Sequence, residues 1–252
     1  MKALITGAIS GLGMEMAHIL AKKGYDLILV ARRKEKLEEL KEELKVDVQV
    51  INLDLSSTFN CMKLYNKVKK QKIDILINNA GFGLFGQFDE TNLERELDMI
   101  DLNIKAVHTL TKLFLKDFME ENKGYILNVA SSAAYFSGPL MSTYYATKAY
   151  VLHLTEALQE EVKQAHKNVY IGCLCPGPFD TEFNDVAGVS FSLKSQTKEY
   201  VASYAIDKMF KKKSIIIPGA KMKTIIAFSK ILPRKLTTHI NYYNQQKKGG
   251  RD

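Results

Sequence analysis

Seven short apolar runs alternate along the chain with longer stretches of helical periodicity. The runs are Ala3–Thr6, Leu27–Ala31, Val46–Leu53, Ile73–Ile77, Tyr125–Val129, Val169–Leu174 and Ile215–Ile217. Most are close to continuously apolar instead of alternating, the pattern of strands that meet no water on either face of the pleat. The segments between them predict helices over Leu12–Lys23, Lys34–Leu44, Phe59–Lys70, Leu93–Phe118, Tyr144–Gln164 and Thr197–Phe210. Such alternation predicts an α/β fold: a doubly wound, seven-stranded parallel sheet flanked by helices. No repeat, low-complexity linker or boundary interrupts it, so a single domain over 1–252 is expected. After the last run Pro218-Gly219 breaks the chain. Ala220–Leu232 predicts one more helix, stopped at Pro233, and the polar residues from Gln245 onward read as a frayed tail.

The 252 residues suffice for one sizeable core. No apolar run reaches the about 18 residues that span a bilayer. The apolar start Ala3-Leu4-Ile5 meets Gly7, Ser10 and Gly11, unlike a signal peptide, so a cytoplasmic location is expected. Cys61, Cys173 and Cys175 are an odd number, against a disulfide framework. Cys173 and Cys175 read as buried strand residues, and none of the five histidines joins a cluster, so no metal is expected.

The net charge of +8 is unevenly placed. Twelve Lys and Arg and no Asp or Glu lie between Lys208 and Arg251, so the other 24 of the 36 basic residues face all 28 acidic ones. In the basic extension, 220–252, a helix would gather Met222, Ile225, Ile226 and Ser229 on one face, flanked by Lys221, Lys223 and Lys230. Three readings stay open: packing on the domain, an acidic partner, or weak contact with an anionic membrane surface. Nucleic acid is not an expected partner, since the segment contains no recognised binding module.

Chemistry-bearing residues sit where strands end. The first run leads into Thr6-Gly7-Ala8-Ile9-Ser10-Gly11-Leu12-Gly13 and then a helix. Glycines let a backbone turn tightly against a pyrophosphate, and the helix start offers free N–H groups and a positive dipole end. Tyr144 and Lys148 stand four apart, on one helix face. A free tyrosine has a pKa of about 10, and a neighbouring ammonium lowers it by favouring phenolate.

The spacing T-G-x-x-x-G-x-G resembles the short-chain dehydrogenase/reductase family, and the likeness runs over nearly the whole chain. Further family motifs follow in order. Asp54 and Leu55 follow the third strand, where the family contacts adenine. Asn78-Asn79-Ala80-Gly81 closes the fourth. Ser131 precedes Tyr144 by thirteen residues. Pro176, Gly177 and Thr181 follow the sixth strand, where the family places the nicotinamide amide. The resemblance implies a Rossmann domain in which Thr6, Gly7, Ser10, Gly11, Leu12, Gly13, Asp54, Leu55, Asn79, Ala80, Gly81, Tyr144, Lys148, Pro176, Gly177 and Thr181 hold a dinucleotide. At the end of the second strand Ala31 occupies the usual acidic position, and Arg32 and Arg33 follow. Guanidinium groups grip a 2′-phosphate, so NADP(H) is the expected cofactor.

The resemblance also implies Tyr144 as general acid or base, Lys148 lowering its pKa and binding ribose, Ser131 polarising a carbonyl, and Asn103 holding a water in a proton relay. Ser132 is one residue out of register, and Tyr145, three from Lys148, reads as a packing neighbour. Residues 182–196 match the substrate lid and contain Phe183, Val186, Val189, Phe191 and Leu193. Phe82, Leu84, Phe85, Phe88, Tyr135, Phe136 and Leu140 either line the same pocket or belong to the core or a subunit contact. The implied activity is hydride transfer between NADP(H) and a lipophilic ketone, oxoacyl or steroid-like substrate, in a homodimer or homotetramer. The alternative is a non-catalytic dinucleotide-binding regulator.

Overall fold

A computed structural model of the chain describes residues 1–9, 11–178 and 196–246. Seven strands form one parallel sheet: β1 (Lys2–Thr6), β2 (Asp26–Ala31), β3 (Val48–Asn52), β4 (Ile75–Asn78), β5 (Gly124–Val129), β6 (Val169–Leu174) and β7 (Ile215–Ile216), in the order β3-β2-β1-β4-β5-β6-β7. Most of the runs are close to continuously apolar because the sheet is covered on both sides; β3, at the sheet edge, is the exception with Gln49 and Asn52. In β1, Ala3 and Ile5 face one core cluster and Leu4 faces another. On the first side lie α1 (Gly11–Lys22), α2 (Lys34–Glu43) and α7 (Lys198–Phe210), which bury Met16, Leu20, Leu37, Val201 and Met209. The other side holds α3 (Thr58–Val68), α5 (Val107–Glu121) and α6 (Ser142–Gln164), with Leu64, Leu110, Phe114 and Val162 inside. Each such side chain stabilises the fold by about 1.5–3 kcal/mol relative to exposure.

Two departures from the expected elements bear on function. The long helix expected over Leu93–Phe118 is α4 (Leu93–Ile100), a π-helical stretch Asp101–Ala106, and α5. Asn103 sits within that wide turn, and π-turns are frequent at functional sites. Beyond β7, α8 (Ala220–Ser229) ends before Pro233, and a further helix, α9 (Arg234–Gln246), follows. Gln245, expected to open a frayed tail, is instead buried within this helix, and residues 247–252 lie outside the described residues. Pro233 precedes a helix as well as following one: its carbonyl accepts from the N–H of Leu236 at 3.0 Å and of Thr237 at 3.2 Å. Proline suits a helix start because its missing N–H would have no helical partner there. Among the described residues no helix is long and apolar enough to cross a membrane, and no group of three or more His, Cys, Asp or Glu is placed to hold a metal.

Candidate active site

A cleft of about 540 Å³ opens at the carboxyl ends of the strands. It lies where the strand order departs from β1 in both directions, to β2 on one side and β4 on the other. Helices on opposite faces of the sheet leave a crevice at such a point.

Its floor is the turn after β1. Gly7 has φ +63°, and a Cβ there would lie 2.8 Å from Ala80 Cα. A Cβ on Gly13 would lie 2.2 Å from the Gly7 carbonyl. These two glycines let turn, helix and the Asn79–Gly81 loop close on one another. Thr6 Oγ1 accepts from the N–H groups of Asn79 and Ala80, both at 3.0 Å. Asn79 Nδ2 donates back to the carbonyls of Thr6 at 3.1 Å and Gly7 at 2.9 Å. Gly7, Gly11, Leu12, Asn79, Ala80 and Gly81 line the cleft. Thr6 and Gly13, expected among the dinucleotide-binding residues, stand behind this lining and shape the turn.

Arg32, Arg33, Asp54 and Leu55 line one end. Arg32 lies 4.0 Å from Asp54, both largely exposed, so water screens the pair. Asp54 Oδ1 also accepts from Ser56 N at 3.0 Å and Ser56 Oγ at 2.9 Å.

Ser131, Tyr144, Lys148, Pro176 and Gly177 line the other end. Tyr144 is buried and hydrogen-bonds with Ser131. Burial pushes its pKa well above the usual tyrosine value; the Ser131 hydrogen bond opposes this and the neighbouring Tyr145 adds to it. Lys148 Nζ donates to the Val129 carbonyl at 3.0 Å and lies 5.8 Å from the centre of the Tyr144 ring. Burial lowers its pKa to about 8. The lowered tyrosine pKa expected from a nearby ammonium is not what the cleft presents. Desolvation disfavours the charged form of both groups.

Asn103 does not line the cleft. Its Oδ1 accepts from Phe82 N at 3.1 Å, and its Nδ2 donates to Phe82 O at 2.9 Å and Thr147 Oγ1 at 3.1 Å. It stands behind Gly81, tying the loop after β4 to the helix that carries Tyr144.

Phe82 lines the cleft, whereas Leu84 and Phe85 pack behind it. Phe88 is exposed and Tyr135 packs with Val151 and Leu152. Residues singled out by no sequence motif complete the wall: Met141, Leu102 and Ala133, together with Tyr145, expected only as a packing neighbour. Tyr145 Oη accepts from Gln245 Nε2 at 2.5 Å, and burial pushes its pKa up to about 12. Ser10, Phe179, Asp180, Thr181 and the expected lid up to 195 lie outside the described residues. Chemically, the cleft offers a pair of hydroxyls and an ammonium at one end and two guanidinium groups at the other. Such a set can orient an oxygen and move a proton to or from it.

Residues 1–188 match the sequence family described as short chain dehydrogenase. The chain is 33% identical to hydroxysteroid dehydrogenase-like protein 1 of Gallus gallus, over 82% of this chain and 65% of that protein. It is 34% identical to very-long-chain 3-oxoacyl-CoA reductase of Homo sapiens, over 69% of this chain and 58% of that one. It thus spans about three-fifths of the length of the curated relatives it matches. A short-chain dehydrogenase from Sphingobium yanoikuyae, solved in complex with NADPH, shares the fold with a TM-score of 0.81 and 29% identity, covering 91% of this chain and 93% of the other. A Burkholderia phymatum short chain dehydrogenase/reductase in complex with NAD shares the fold alone, with a TM-score of 0.82 and 23% identity over 90% of this chain and 91% of that one.

Proposed function

Because the chain belongs to the short-chain dehydrogenase family, we propose that it is an oxidoreductase exchanging hydride between NADP(H) and the carbonyl or secondary alcohol of a lipophilic substrate. The observation that carries this reading is the grouping of Ser131, Tyr144 and Lys148 at one end of a cleft whose other end holds Arg32 and Arg33. The donor set suits a dinucleotide: glycine backbone at the start of α1 for a pyrophosphate, guanidinium groups for a 2′-phosphate, and Lys148 with Pro176 and Gly177 toward the nicotinamide end. The bound nicotinamide supplies or takes the hydride.

The chain's own residues manage the oxygen and its proton. Ser131 and Tyr144 donate hydrogen bonds to the substrate oxygen, and Tyr144 hands over its proton as charge grows there. Lys148 stabilises the phenolate left behind. Asn103 enters as a positioning residue that holds Phe82 and, through Thr147, the helix bearing Tyr144. Phe82, Met141 and Tyr145 make the substrate end apolar. That agrees with a ketone, oxoacyl or steroid-like substrate, and the names of the relatives point to the same class.

NADPH oxidation across a panel of cyclic ketones, steroids and 3-oxoacyl thioesters tests the reading. Turnover with at least one lipophilic carbonyl, and far less with NADH, is the expected result. No turnover across the panel despite tight NADPH binding would leave a non-catalytic dinucleotide binder.

The pH dependence has a definite sign. Reduction needs a protonated Tyr144 beside an ammonium, so its rate falls as pH rises through the Lys148 value of about 8. Oxidation needs an ionised Tyr144, and burial raises its pKa well above the usual tyrosine value, so no rise in the oxidation rate is expected over that range. Measuring kcat/KM in both directions between about pH 6 and about pH 10 checks this. A flat reduction profile removes Lys148 from the proton-handling group.

A further inference from the structure

The last helix of the described chain is amphipathic in reverse. α9 turns Thr237, Thr238, Asn241 and Gln245 toward the body of the protein. Asn241 Nδ2 donates to the Ser137 carbonyl at 3.0 Å, and Gln245 reaches the Tyr145 hydroxyl. The outward face carries Leu236, Ile240 and Tyr243, spaced four and three apart and all exposed. α8 buries Ile226 and half-buries Met222, and leaves Ile225 and Phe228 outside. Ile231 and Leu232 follow in the connection; Ile231 is 81% exposed and Phe228 65%. Singly exposed apolar residues need no explanation, but a set of this size on two successive helices marks an interaction surface.

Charge selects the occupant. Lys221 precedes Ile225 by one turn, Lys230 lies between the helices, and Arg234 and Lys235 open α9; no acidic residue occurs from Lys208 to Arg251. A second copy of the chain meeting this surface symmetrically would set basic residues against basic residues, with no acid in the segment to pair with them. An anionic bilayer answers both features: its headgroup boundary takes the apolar side chains and its phosphates take the lysines.

We propose that α8 and α9 form a docking surface for an anionic lipid membrane, on which the protein lies peripherally. Because Gln245, on the inner face of α9, contacts the cleft wall at Tyr145, docking sets the substrate end of the cleft beside the lipid. The proposal does not depend on the reaction catalysed, since binding can be read without turnover.

The test is co-sedimentation of the full chain with phosphatidylcholine vesicles and with vesicles that also contain phosphatidylserine. The protein is expected to pellet with the anionic vesicles, much less with the neutral ones, and to be released by salt. The double variant Lys221→Glu, Lys235→Glu should weaken binding about tenfold or more. Phe228→Ser with Ile231→Ser should weaken it comparably, with the thermal melting curve unchanged because both side chains are exposed. Failure to bind anionic vesicles, or equal binding to both kinds regardless of salt, overturns the proposal. So does a dimer in sedimentation velocity that Phe228→Ser with Ile231→Ser dissolves while vesicles capture nothing; the strip is then a subunit interface.

Discussion

Replacing Tyr144 by phenylalanine removes nearly all turnover, about a thousandfold or more, while NADPH still binds. The substitution deletes one oxygen from a buried ring that packs with Phe82, Met99 and Met141, so the wall keeps its shape. What disappears is the hydroxyl that hydrogen-bonds with Ser131 and would pass a proton to the substrate. Neither remaining group replaces it. Ser131 Oγ already accepts from Ala133 N at 3.1 Å, and an aliphatic hydroxyl is a far weaker acid than a phenol. Lys148 Nζ points at the Val129 carbonyl. The control is Tyr145→Phe, next door on the same helix. Its hydroxyl is engaged with Gln245, away from Ser131, so its loss should loosen α9 and leave much of the activity. Steady-state kinetics on both variants, with NADPH binding followed by fluorescence, make the comparison. If Tyr145→Phe proves the more damaging change, the acid has been assigned to the wrong tyrosine.

The strands were legible because burial on both sheet faces leaves a continuous apolar signature, as in β1 and β6. Their ends moved by a residue or two, as with β3 and β4, since hydrogen bonding and not apolarity decides where a ladder stops. Glycine turn, arginine pair and Tyr-Lys spacing were legible because each is a local requirement written in consecutive residues. What could not be read depends on contacts distant in sequence. The π-turn is held by Asn103 bonding Phe82, twenty-one positions earlier. α9 is hard to read because its inward face is polar: the apolar spacing Leu236, Ile240 and Tyr243 is present but lies on the outward face, where it announces no core contact. Gln245 is buried only because Tyr145, a hundred positions away, offers it a partner. Met141 and Tyr145 showed no signal as cleft wall, since a residue lining an apolar pocket and one filling a core look alike in sequence.

Changing Arg32 to aspartate should weaken NADPH by about ten- to a hundredfold and leave NADH nearly unaffected, reversing or abolishing the proposed preference for NADPH. The magnitude follows from the about 1.5–3 kcal/mol of a hydrogen bond to a charged group, with repulsion of a phosphate by the new carboxylate added. The local frame should survive. Arg32 holds its position by backbone, its carbonyl accepting from Asn52 Nδ2 at 2.6 Å, and that bond does not use the side chain. The guanidinium itself is largely exposed and only 4.0 Å from Asp54, a contact worth little in water. Ala31, which precedes it in the cleft wall, offers no carboxylate to a ribose hydroxyl, so the native chain has nothing at this position that favours NADH. The substitution supplies such a carboxylate one residue later, where it can accept from the 2′-hydroxyl. Fluorescence titration with both cofactors separates the outcomes. Equal weakening of both means that Arg32 supports the turn without reading the 2′-phosphate. Selective weakening of NADPH makes the sequence Ala31-Arg32-Arg33 the determinant of cofactor choice.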